Sequence, residues 1–308
     1  MKPTSDGLMT DTVQTFNPHP SKPSFLLPAN ACDAHVHVFG PASRFAFSKD
    51  SKINPVDAPK ETLFQLHRHL GIERCVIVQS LVHGFDNSVV EDAIRAGAGR
   101  YLGVALVSHK VSDEELLRLK NAGFRGVRFN FMAQMAQMAQ MAQMAHIEQG
   151  ATAQQVIDLT QRLAPLQLHL QVHFESALIH ELTPIFKQSA VPVVIDHMGR
   201  VDALLGESHA DFRALHDLMQ DTRFYVKVSG IDRVSRGRPY VEGILLAHRL
   251  VMDFPDRCFW GTDWPHPNHH QIPDDGELAS ALAQIAPTAA AMQALLVDNP
   301  QNFYQFNP

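Results

Sequence analysis

Cysteine is scarce in this chain: Cys32, Cys75 and Cys258 are the only three in 308 residues. An odd, sparse set excludes a disulfide framework, and no CxxC pair suggests a zinc ribbon. The chain also lacks any run approaching the ~20 apolar residues of a membrane span. Its first 29 residues hold no apolar stretch of signal-peptide length. These absences predict a reduced, cytoplasmic protein with no membrane partner. Positive charge is not in excess, with 26 Lys and Arg against 32 Asp and Glu and a net charge of −6. That balance gives no nucleic-acid footprint. No GxGxxG follows the first apolar run, which argues against a doubly wound dinucleotide-binding sheet, the runner-up architecture.

What is present fits one large globular domain, with 45% hydrophobic and 19% charged residues. Residues 1–29 are polar and proline-rich and read as an extended arm. From residue 30 to 308 the chain alternates between apolar runs and amphipathic stretches. The runs are Cys32–Phe39, Arg74–Ser80, Tyr101–Val107, Gly126–Phe131, Leu168–Phe174, Val191–Met198, Phe224–Ser229 and Cys258–Asp263. Several are Val- and Ile-rich with little alternation, as expected of parallel strands covered on both faces. Helical patterns fall at Glu61–His69, Val89–Ala96, Ser112–Asn121, Ala153–Leu163, Pro184–Gln188, Phe212–Met219 and Val241–Met252. Eight strand–helix units predict a single α/β domain, a (β/α)8 TIM-type barrel. The tail from Asp298 to Tyr304 reads as a short helix closing one barrel end.

One segment is low in complexity. Residues 132–145 read Met-Ala-Gln four times and then Met-Ala, in the loop after the fourth strand. A period of three slips by about 60° per repeat on an α-helix, so the methionines form no clean apolar face. The segment reads either as a triplet expansion in a tolerant loop or as a methionine-rich lid over the active-site end.

Barrel enzymes carry their chemistry at the C-terminal ends of the strands. Here those ends hold His35 and His37, then His173, then His197, then Asp263 with His266 three residues on. Alternation along a strand puts His35 and His37 on one face. Imidazoles and a carboxylate are the usual ligands of zinc and related ions. Such groups are costly to bury without a purpose. Together they predict a mononuclear metal centre.

The stretch from Cys32 to Pro41, CDAHVHVFGP, resembles the opening of the 2-pyrone-4,6-dicarboxylate lactonase group of the amidohydrolase superfamily. So do GVRFNF at 126–131, IDHMGR at 195–200 and WGTDWPHPN at 260–268. The resemblance runs from about residue 20 to the C-terminus. It implies a distorted (β/α)8 barrel and hydrolysis of lactones from aromatic catabolism. It also implies substrate-binding roles for Arg128, Arg200 and Arg233. Two features depart from the dicarboxylate lactonases. His173 stands where they lack a histidine and where metal-dependent relatives have a ligand. The uncharged Met-Ala-Gln repeat stands where they carry basic residues.

The expected site therefore has one divalent ion, zinc by preference, on His35, His37, His173 and Asp263. Asp263 would double as general base and then general acid, and His197 would be an oxyanion donor or a further ligand. The same residues also support a metal-free route. Arg128, Arg200 and Arg233 would hold anionic substrate groups unless engaged by Asp196, Asp202 or Asp232. His83 and His266 fall near the rim as candidate substrate contacts, and His269 and His270 read as solvated loop residues. The expected substrate is a small anionic lactone. A sugar-lactone isomerase and a metal-dependent decarboxylase are alternatives on the same barrel. A ligand-binding pseudoenzyme is disfavoured by the complete histidine and aspartate set. A homodimer is compatible with the sequence.

Overall fold

A computed structural model describes residues 12–132, 150–267, 269 and 271–306. The Met-Ala-Gln repeat, apart from Met132, lies outside the described residues. Eight parallel strands follow one another around a single sheet in chain order. They are β1 Cys32–Val36, β2 Arg74–Val78, β3 Tyr101–Leu106, β4 Phe124–Phe131, β5 His169–Phe174, β6 Val193–Ile195, β7 Phe224–Lys227 and β8 Cys258–Phe259. Backbone hydrogen bonds from β1 to the segment after β8 close the ring. Ala34 N–H donates to Trp260 O at 2.8 Å, Asp263 N–H to His35 O at 2.8 Å and His37 N–H to Trp264 O at 2.6 Å. The fold is the predicted barrel.

Closure depends on a bare backbone at Gly261. A Cβ there would lie 2.6 Å from His35 N and 2.8 Å from His35 Cβ. Gly261→Ala is therefore expected to destabilise the fold by about 1–3 kcal/mol, the usual cost of overpacking. A denaturant midpoint unchanged from wild type would show that the seam has slack.

The helices form for ordinary reasons. In Lys60–Leu70 the residues Leu63, Leu66, His67 and Leu70 turn inward at helical spacing. Its Gly71 cap, at φ 80°, donates its N–H to His67 O. Thr152 and Gln155 form a capping box that starts Ala153–Leu163. The helix expected at Pro184–Gln188 instead runs Ile179–Phe186, with Pro184 inside it rather than at its start. A helix of four residues, Ile231–Val234, is too short to leave a periodic signal. No helix among the described residues is long and apolar enough to cross a membrane.

At the N-terminal ends of the strands, Phe303 and Tyr304 of the final helix Asn299–Tyr304 pack on Phe259 and His169, with ring centroids 5.0–5.5 Å apart. Arg125 Nε donates to Tyr304 O at 2.9 Å. Residues 12–29 form no helix and lie against the barrel: Phe16 packs on Trp264 at 5.3 Å, and Ser21 Oγ bonds Asp274 at 2.8 Å. The opposite, C-terminal end gathers the polar strand ends.

Candidate active site

The first strand carries an irregularity that matters. Asp33 pairs with Cys75 and Val36 with Ile77, so β1 has one residue more than β2 over this stretch. Such a bulge re-aims side chains. Cys32 and Ala34 pack with Val76, Val78, Leu102, Val104 and Val194 in the barrel interior. Beyond the extra residue His35 and His37 point to the same interior and reach Asp263. Asp33 takes the other side, where it accepts from the Thr262 hydroxyl at 2.6 Å and ties β1 to the end of β8.

Two polar layers result. The deeper one contains Lys227, Asp196, Gln171 and His35, each fully buried. Lys227 Nζ donates to Gln171 Oε1 at 2.8 Å and lies 3.3 Å from His35 Nδ1 and 3.7 Å from Asp196 Oδ1. Asp196 accepts from Arg128 Nε at 2.8 Å and contacts His35 Nδ1 at 3.2 Å. Burial alone would push the Asp196 carboxyl up, yet His35, Arg128 and Lys227 hold it well below the usual carboxylate range. Burial lowers Lys227 to about 8, against the pull of Asp196. It lowers His35 to about 4, again opposed by Asp196.

The upper layer centres on Asp263. Its Oδ1 is buried and has no hydrogen-bond partner among the described residues. Three imidazole nitrogens face it: Nε2 of His37 at 3.4 Å, of His35 at 3.6 Å and of His197 at 3.8 Å. Its Oδ2 accepts from Arg233 Nε at 2.7 Å. Burial opposes its ionisation, but Arg233, His197, His37 and His35 outweigh that and keep Asp263 a carboxylate. Burial also holds His197 and His173 well below the usual imidazole range.

These separations fit a shared cation. His37 Nδ1 lies 2.7 Å from the Val78 carbonyl, which can only accept, so Nδ1 carries the proton. The other ring nitrogen, Nε2, then faces the Asp263 carboxylate at 3.4 Å. His35 Nε2 is buried without a hydrogen-bond partner among the described residues. Donors about 2.0–2.2 Å from one tetrahedral ion stand roughly 3.3–3.6 Å apart. The His37 and His35 contacts to Asp263 lie in that range, and the donor atoms of these three side chains all lie within 4.8 Å of one another; His197, at 3.8 Å from Asp263, groups instead with His35 and Asp196.

Backbone strain marks the same place. Asp263 has φ 66°, and His197, Met198 and Arg200 have φ 48°, 53° and 53°. Non-glycine residues hold the left-handed region only where their surroundings force it. β6 ends at Ile195, two residues before the left-handed backbone begins at His197.

The predicted residues do not all converge. The structure brings together His35, His37, His197 and Asp263. His173 sits beside His197, with ring centroids 5.4 Å apart, but offers no donor to the group around Asp263. Of the arginines, Arg128 is engaged by Asp196 and Arg233 by Asp263 and the Pro267 carbonyl. Arg200 is half-buried and makes no hydrogen bond or ion pair among the described residues; burial and Arg233 lower its pKa. His83 is corrected: it binds Gly40 N through Nε2 and Ala46 O through Nδ1, both at 3.1 Å. Both ring nitrogens stitch loops, so His83 has none left for a substrate. His266 is buried against Asp275 at 2.9 Å. His269 is not solvated, because its ring is buried and bonded to Asp232 at 2.6 Å. His270 lies outside the described residues. Lys227 has no expected role in the sequence, and Asp196 is expected there only as a partner for an arginine. Their signal was a charge standing in, or just after, an otherwise apolar parallel strand.

The sequence profile of the amidohydrolase family matches residues 32–306. A 2-pyrone-4,6-dicarboxylate hydrolase of Comamonas testosteroni is 40% identical over 297 residues, covering 93% of each chain. A 4-sulfomuconolactone hydrolase of Hydrogenophaga intermedia is 36% identical over 285 residues, covering 91% of this chain and 90% of that one. Among solved structures, a Pseudomonas putida protein proposed to be a 2-pyrone-4,6-dicarboxylic acid hydrolase superposes with a TM-score of 0.75 at 28% identity. That match covers 92% of this chain and 100% of the other.

Proposed function

The chain belongs to the amidohydrolase family, and on that premise we propose that it opens an anionic ring lactone with an activated water. The observation that carries this reading is Asp263 Oδ1, an ionised, buried oxygen without a hydrogen bond, ringed by three imidazole nitrogens. A divalent ion on His35, His37 and Asp263, zinc by the donor set, would supply a water of lowered pKa and polarise the lactone carbonyl, with His197 beside it.

The protein's own groups do the rest. Asp263 Oδ1 takes the proton of the attacking water while Arg233 fixes Oδ2 and holds the carboxylate's orientation. The ring C–O bond then breaks, and Asp263 returns the proton to the leaving ring oxygen, so the base becomes the acid. His35 is braced from behind by Asp196 and Lys227, and His37 by the Val78 carbonyl. Such supports set ring direction and proton position. His173 has a buried nitrogen with no partner among the described residues and would donate to the carbonyl oxygen as it gains charge.

Arg200 is the anchor for the substrate's anionic group. Arg200→Gln is expected to raise KM by roughly 10–100-fold with kcat little changed, because a charged hydrogen bond is worth ~1.5–3 kcal/mol. An unchanged KM would move the anchor elsewhere. The substrate class is that of the relatives, a pyrone dicarboxylate or a sulfonated muconolactone. Three free, buried thiols, Cys32, Cys75 and Cys258, suit a cytoplasmic setting.

The test is to assay both lactones with protein purified without chelator, alongside elemental analysis. About one ion per chain at this centre, lost in His37→Asn together with ring opening, is the expected outcome. Ring opening that survives chelation with no bound ion would leave Asp263 and the histidines to act without a metal.

A further inference from the structure

A second group of ligand-type side chains converges beside the barrel mouth and shares no residue with the Asp263 centre. Asp232 lies in the short helix Ile231–Val234 after β7, and His266 and His269 lie in the loop after β8. Each offers one donor atom within 4.8 Å of the other two. His266 is 1% exposed. Its Nε2 is held by Asp275 Oδ1 at 2.9 Å, and its Nδ1 is buried with no hydrogen-bond partner among the described residues. Asp232 Oδ1 and His269 Nδ1 are in the same condition. His269 meets Asp232 Oδ2 through Nε2 at 2.6 Å, and leaving a buried polar atom unsatisfied costs about 1–3 kcal/mol, so His266 Nδ1 and Asp232 Oδ1 ask for a further partner.

The chemistry of that partner follows from the donors. Asp232 supplies a carboxylate and His266 and His269 supply imidazoles. An imidazole with a carboxylate on its far nitrogen, as in His266–Asp275, is the usual arrangement behind a metal-binding histidine. Two imidazoles and a carboxylate suit zinc and its neighbours rather than calcium or magnesium. We infer that Asp232, His266 and His269 form a second divalent-cation site, oriented by Asp275. The ion would clip the helix carrying Arg233 to the loop after β8, which holds Arg233, the partner of Asp263, in place from both sides.

The inference does not depend on the Asp263 centre, and the test separates them. Chelator-treated protein is titrated with cobalt(II) or zinc, and bound metal is measured per chain. His269→Gln and Asp232→Asn should each bind one equivalent fewer than wild type, with circular dichroism unchanged. A His35→Asn/His37→Asn double variant should still bind one ion, and zinc should raise its melting temperature. Adding Asp232→Asn to that variant should abolish both effects. The inference is overturned if the double variant binds no metal, or if His269→Gln and Asp232→Asn bind as much as wild type.

Discussion

Asp263→Asn is expected to lower kcat by roughly 10²–10⁴-fold, the range supplied by a positioned proton-transfer group, with the fold retained. The carboxylate is the one group that meets all the others: Arg233 on Oδ2, three imidazoles around Oδ1. Asparagine keeps the shape and can still accept from Arg233. It cannot accept the water's proton, and it is a poor metal ligand. Arg233 is partly exposed, at 18%, so losing its counter-charge is tolerable for stability. The check is kcat against KM on the lactone, with a melting curve beside it. Near-normal kcat would remove Asp263 from the chemistry.

The second large effect falls on stability. Asp196→Ala should destabilise the fold by about 3–5 kcal/mol, the cost of removing one partner of a buried ion cluster. Asp196 and Lys227 are both fully buried, and Arg128 is nearly so. Without the carboxylate, two cations and His35 share a dry space. Lys227, already lowered to about 8, would lose its main counter-charge. Since a domain's total stability is only ~5–15 kcal/mol, the variant should show a large drop in melting temperature. A drop no larger than that of an ordinary surface change would mean that water reaches this layer and screens the charges.

Much of this was legible in the sequence. The eight apolar runs, their order and the strand ends bearing His35, His37, His197 and Asp263 could be read because parallel strands are locally continuous. Each of these residues is named by its distance from an apolar run. The rest depended on pairings across the chain. The bulge in β1 is visible only against β2. Lys227 acquires meaning only beside Gln171 of β5, His35 of β1 and Asp196 just after β6. His83 was read as facing substrate because it follows β2, yet its ring is consumed by Gly40 and Ala46, some forty residues upstream. His269 reads as a solvated loop residue in the sequence because its partner, Asp232, lies 37 positions away. His173 has the right parity, but His197 holds the place nearer Asp263. The left-handed backbone from His197 to Arg200 that puts it there has no reliable sequence signal outside glycine.

The most direct test of hydrolysis at this centre is turnover of 2-pyrone-4,6-dicarboxylate and 4-sulfomuconolactone in water enriched in heavy oxygen, read by mass spectrometry. Hydrolysis predicts a ring-opened acid that has gained one water, with one heavy oxygen in the new carboxylate, and no such product from Asp263→Asn. A product of unchanged mass, or one that has lost carbon dioxide with the ring intact, would contradict the account and make the barrel an isomerase or a decarboxylase.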